Sequence, residues 1–146
     1  MIKLVLSKLR MDSSWVINSL HKYNHNQDLE FILTNKITHI VNTVAHIIPN
    51  HWEPLGIKYI TYCWNDDESQ IILDPKHNTI HFIFTLIEEV LSKGESILVH
   101  SEYGESRSTT LVVAYLMKKY YWSLIKCMEY LHSRKPEIKI RANFLH

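Results

Sequence analysis

Val99-His100-Ser101-Glu102-Tyr103-Gly104-Glu105-Ser106-Arg107-Ser108 is the stretch on which the reading of this chain turns. It begins at the end of a short, wholly apolar run, Ile97 to Val99, suited to the centre of a parallel sheet. It leads into a helical pattern from about Ser108 to Lys119. A loop between a buried strand and a helix start aims several backbone N–H groups at one point, where the helix dipole favours an anion. Gly104 lets the backbone turn where a Cβ would interfere. Arg107, at the junction, can offer a two-toothed guanidinium to phosphate oxygens. Ser108 places a hydroxyl close to Ser101, which opens the loop. Glu102, Tyr103, Gly104, Glu105, Ser106 and Arg107 are therefore the candidate phosphate-binding residues. Taken singly these features are common, and an Arg early in a helix is usually solvated. The weight rests on the whole arrangement: His before Ser101, Gly three after it, Arg six after it, and Ser next.

Strands and helices alternate outward from this loop. Ser14 to Leu20 is short and strand-like, and Asn26 can cap a helix running through Lys36. Ile37 to Thr43 is β-branched and reads as a buried strand. Pro49 to Gly56 is a loop containing Trp52, Ile57 to Tyr62 is a further strand, and Asn65 to Gln70 is polar. Asp74 can cap the next helix, with Pro75 at its first position, and that helix runs to about Ser92. Its apolar stripe is Ile80, Ile83, Phe84, Ile87 and Leu91, and Lys93-Gly94 ends it. Another helix is expected from about Ser123 to Ser133, and Asn143 to His146 opens one more. The pattern predicts an α/β fold: a central, mostly parallel sheet flanked by helices. Residues 1–14 are expected to form an N-terminal extension and 15–146 the domain.

Composition removes several function classes. The chain has 146 residues, 46% hydrophobic and 21% charged, enough for one domain with a real core. A formal net charge of +1 gives no global field toward nucleic acid or a membrane, so neither is expected as a partner, and anion recognition must be local. No apolar run is long enough to span a bilayer. Cys63 and Cys127 are the two thiols, which fits a reducing compartment, and the first ten residues lack a secretory pattern. The cytoplasm is the expected location. Of ten histidines, His77 and His81 have helical spacing, but no Cys, Asp or Glu completes a zinc pattern there, so no metal site is expected.

The loop resembles the signature of the dual-specificity phosphatases, a branch of the cysteine-dependent protein tyrosine phosphatases. That signature is His-Cys, two residues, Gly, two residues, Arg, then Ser or Thr. The chain matches at His100, Gly104, Arg107 and Ser108, and Ser106-Arg107-Ser108 has the form typical of the dual-specificity branch. Ile37 to Asn42, Ala114 to Met117, and Ser133 to Pro136 followed by Asn143 and Phe144 are also similar to family segments, so the resemblance runs from about Trp15 to the last residue. It implies the family's fold, a phosphorylated protein as partner, a phosphate or sulfate ion as ligand of the loop, and no cofactor. It implies catalytic roles for residue 101 as nucleophile, for Arg107 and Ser108, and for an upstream aspartate as general acid. Asp66 and Asp67 are the candidates, with Asp67 preferred.

The departures from the family matter as much as the matches. Ser101 stands where the family has its cysteine. Loop dipoles and an Arg can ionise a thiol near neutral pH, but they cannot do so for a hydroxyl, which needs a general base. His100 precedes Ser101 directly in a strand, so its side chain should face the other way. The expectation is a pseudophosphatase that binds phosphorylated Tyr, Ser or Thr side chains and does not cleave them. One alternative is an active phosphatase carrying an engineered Cys-to-Ser change, and another is a scaffold that binds no phosphate. Glu102, Tyr103 and Glu105 favour the first reading, because a trap would leave ordinary residues in the loop. Their charge should weaken phosphate binding unless the side chains point outward. Trp52 and Trp64 could rim the pocket, Glu88 and Glu89 read as solvated, and Tyr120-Tyr121-Trp122 reads as core packing.

Overall fold

A computed structural model of the chain describes residues 2–6, 17–19, 25–73 and 79–145, with side chains from residue 29 onward. The elements in chain order are β1 (Ile2–Leu6), β2 (Ile17–Ser19), α1 (His25–Thr34), β3 (Ile37–Asn42), β4 (Lys58–Thr61), α2 (Thr79–Ser92), β5 (Ser96–His100), α3 (Arg107–Tyr120) and α4 (Leu124–His132). Two 3-10 turns, Glu53–Leu55 and Ala142–Leu145, complete them. The strands form one sheet in the order β2-β1-β5-β3-β4.

β5, β3 and β4 are mutually parallel, whereas β1 runs antiparallel to β5 and β2 antiparallel to β1. The parallel sheet flanked by helices is therefore present, with an antiparallel pair added at one side. Ile2–Leu6, set apart from sequence as an extension, forms a strand of this sheet, with Leu4 opposite Val99. Its paired residues in β5 are 91 or more positions away, and no local periodicity announces such a pairing.

β5 is the central strand, and every one of its residues is buried. Its side chains alternate as the pleat requires. Ile97 and Val99 join the main core with Val41, α2, α3 and α4, while Leu98 joins Ile32, Ile37 and Ile40 on the α1 side. Burial on both faces explains why the run is apolar without alternation.

Most expected boundaries shift by a residue or two. α1 stops at Thr34, and the chain turns through Lys36 at φ 52, short of the helical end expected there. Asp74, Pro75 and His77 lie outside the described residues. Ser123 caps α4 by accepting the N–H of Lys126 at 3.2 Å. Asn143 lies in a 3-10 turn. Trp52 packs against the core on the α1 side, and Trp64 is buried in the main core, stacked on Tyr62 at 4.7 Å. Tyr120 and Trp122 pack as expected, but Tyr121 is 94% exposed, because it ends α3 at φ 55 and turns away from the core. Glu89 pairs with Lys93 at the surface. Glu88, expected in solvent, is half-buried and accepts the Tyr115 hydroxyl at 2.5 Å.

Candidate active site

The loop from Ser101 to Ser106 joins the C-terminal end of β5 to the start of α3. In an open α/β sheet this end of the strands is where ligands bind. Gly104 has φ 67, a conformation costly for any residue with a Cβ. Ser101 is 2% exposed. Its Oγ lies 3.0 Å from the Ser108 hydroxyl and accepts the Gly104 N–H at 3.1 Å. Among the described residues the N–H groups of Glu102, Tyr103, Glu105, Ser106 and Arg107 find no acceptor in the protein. They form the donor set for an anion at the α3 N-terminus.

The carbonyls of Tyr103, Gly104, Glu105 and Ser106, by contrast, are taken. The Lys135 ammonium donates to the carbonyls of Gly104 and Tyr103, and the Thr109 hydroxyl donates to Gly104 O at 2.9 Å. Lys139 N–H donates to Glu105 O at 3.0 Å, and Arg141 N–H to the Ser106 hydroxyl at 3.1 Å. Residues 135–141 thus lie along the outside of the loop and satisfy its acceptors. Burial lowers Lys135 to about 8, although Glu105 and Glu137 oppose the shift.

Arg107 is 3% exposed and projects to the floor of a cleft of about 760 Å3. Its Nη1 donates to the Trp64 carbonyl at 3.0 Å. Its Nη2 lies 3.5 Å from Glu102 Oε2 and 3.8 Å from Asp66 Oδ2. The cleft is also lined by Glu68, Glu105, Lys139 and Arg141, so three carboxylates, Asp66 included, face three cations. The loop carboxylates do not all point outward: Glu102 turns to Arg107, and the proximity of Glu102 to the Tyr103 phenol raises that phenol above its ordinary value.

The two aspartates differ in place. Asp66 lines the cleft and also pairs with Arg141 Nε at 2.5 Å. Asp67 is not among the cleft residues. Its Oδ1 accepts the Ser69 hydroxyl and the N–H groups of Ser69 and Gln70, which closes a turn and holds its carboxyl below the usual range. Ser101, Gly104, Arg107 and Ser108 are thus brought together as expected, with Asp66 rather than Asp67 beside them. Lys135, Lys139 and Arg141 were missed from sequence. Their spacing fits neither a helix face nor a strand face, so no periodic signal marks them. Neither Trp52 nor Trp64 rims the cleft; Trp64 contributes its backbone carbonyl. Among the described residues no cluster of metal-ligating side chains occurs.

Fold and loop together define an α/β domain with a loop of unpaired backbone N–H donors between its central strand and a helix. The profile of the dual specificity phosphatase catalytic domain matches residues 19–146, and the chain belongs to the dual-specificity phosphatase family. Protein phosphatase Slingshot of Drosophila melanogaster is 32% identical over 119 residues, covering 82% of this chain and 11% of that protein. Dual specificity protein phosphatase 1B of Arabidopsis thaliana is 30% identical over 118 residues, covering 80% of this chain and 66% of that protein. The chain therefore spans about a tenth of the first and under two thirds of the second. The crystal structure of human tyrosine phosphatase-like serine/threonine/tyrosine-interacting protein superposes with a TM-score of 0.72 at 25% identity, covering 82% of this chain and 79% of that one.

Proposed function

We propose that this chain is a phosphoryl-binding member of its family. The 101–107 loop holds a phosphorylated Tyr, Ser or Thr side chain of a partner protein without hydrolysing it. The carrying observation is the environment of Ser101. Among the described residues its hydroxyl meets the Ser108 hydroxyl and the Gly104 N–H, and neither a histidine nor a carboxylate lies within hydrogen-bonding distance. An unassisted hydroxyl is a poor nucleophile at neutral pH. The donor set and Arg107 need no thiol to hold an oxyanion. Cys63 and Cys127 are unpaired thiols, which supports a cytoplasmic setting. The human protein of similar fold, named as phosphatase-like and interacting, supports the same reading.

A second reading is an active phosphatase whose nucleophile has been exchanged for serine. Asp66 in the cleft favours it, as do the relatives named as phosphatases. Titration with inorganic phosphate and a phosphopeptide, beside an aryl phosphate hydrolysis assay, separates the two. Binding without turnover is expected. Steady turnover by the Ser101 protein would overturn the proposal.

A further inference from the structure

We infer that Glu102 is an internal competitor for the phosphoryl group: its carboxylate shares Arg107 with any anion held by the loop and raises the threshold for binding. The inference rests on the reading of residues 101–107 as a phosphate cradle and concerns what that cradle accepts.

The geometry of Arg107 carries it. Nη1 donates to the Trp64 carbonyl, so the edge formed by Nη2 and Nε is left to face an incoming oxyanion. Two carboxylates already face Nη2, Glu102 at 3.5 Å and Asp66 at 3.8 Å. They are not equivalent. Asp66 divides its charge with Arg141, bonded at 2.5 Å. Among the described residues Glu102 has no cation within ion-pairing distance besides Arg107. A phosphate that arrives on Nη2 must either displace Glu102 or sit beside a like charge in a partly desolvated site, where repulsion is strong. The cradle should therefore bind phosphate with lower affinity than its donor set alone would give.

The test is calorimetric titration of inorganic phosphate at low salt into the unchanged protein, Glu102→Gln and, as a control for net charge, Glu129→Gln on α4. Glutamine keeps the shape of Glu102 but removes the charge. Glu102→Gln is expected to bind phosphate about tenfold more tightly or better. Glu129→Gln should bind as the unchanged protein does. If Glu102→Gln does not fold, Glu102→Asp, one methylene shorter, draws the carboxylate back from Arg107 and should tighten binding in the same direction. Equal or weaker binding by the Glu102 variant overturns the inference while leaving the cradle intact. Equal tightening in Glu129→Gln overturns it too, because net charge alone would explain the gain. No binding by any of the proteins overturns both the inference and the cradle reading.

Discussion

Lys135 and Gly104, 31 residues apart in the chain, are joined by a hydrogen bond from the buried ammonium to the loop carbonyl. The same ammonium reaches the Tyr103 carbonyl at 3.2 Å. A cation thus sits behind the loop, on the side away from the cleft, and turns two consecutive carbonyls toward itself. In a trans peptide the N–H that follows a carbonyl points the opposite way, so this contact helps aim the Gly104 N–H at Ser101 Oγ and the Glu105 N–H toward the cleft. Lys135 is 1% exposed, and its charge is held against the pull of burial by those carbonyls and by Glu105 and Glu137.

This burial has a pH signature. The folded protein holds Lys135 at about 8, against an ordinary 10.5. Between those values the unfolded chain keeps a proton that the folded chain has released, so stability rises with pH across that window. Unfolding free energies of the unchanged protein and of Lys135→Met, measured by denaturant titration from below pH 8 to 10.5, should diverge. The unchanged protein gains relative to the variant, by at most on the order of 3 kcal/mol. A pH-independent difference would contradict the buried-cation account.

Arg107→Ala should weaken phosphate binding. The variant loses charge-assisted hydrogen bonds typically worth about 1.5–3 kcal/mol in all, or roughly tenfold to a hundredfold in affinity. Arg107→Lys should recover little, because a point charge cannot hold the Trp64 carbonyl and a second acceptor in one plane. Calorimetry with inorganic phosphate reads both variants.

Ser101→Cys should confer hydrolysis of a small aryl phosphate that the Ser101 protein lacks, since the cradle and a cleft carboxylate are already in place. In that background Asp66→Asn is expected to lower turnover by about 100-fold or more. Asp67→Asn should leave turnover nearly unchanged and lower the melting temperature, because its carboxylate closes a turn. The reverse ranking in steady-state rates would restore Asp67 as the acid. Absence of turnover in Ser101→Cys would show that more than the nucleophile separates this chain from an active phosphatase.

Ile97→Ala tests the platform beneath the loop. Ile97 is fully buried at the centre of β5 and packs in the core shared with α2, α3 and α4. Deleting its side chain should cost about 2–5 kcal/mol in urea unfolding. Phosphate affinity of the molecules that remain folded should change little, because Ile97 touches none of the loop donors.

What the sequence determined by itself is the local grammar of the site. An apolar run with burial on both faces marks β5, and a periodic apolar stripe marks α2. Gly104 at the turn and Arg107 at the start of α3 follow from backbone sterics and helix electrostatics, which act over a few residues and so leave a short-range pattern. The tertiary structure alone decided what meets that loop from far along the chain. It set β1 beside β5, placed Asp66 rather than Asp67 in the cleft, packed Lys135 behind the carbonyls of Tyr103 and Gly104, and turned Glu102 onto Arg107. The first three are meetings of residues at least 31 positions apart, and the last is a choice of side-chain direction within a loop. None has a period to read, because each is settled by how separate elements pack and by which acceptors and charges that packing leaves to be satisfied.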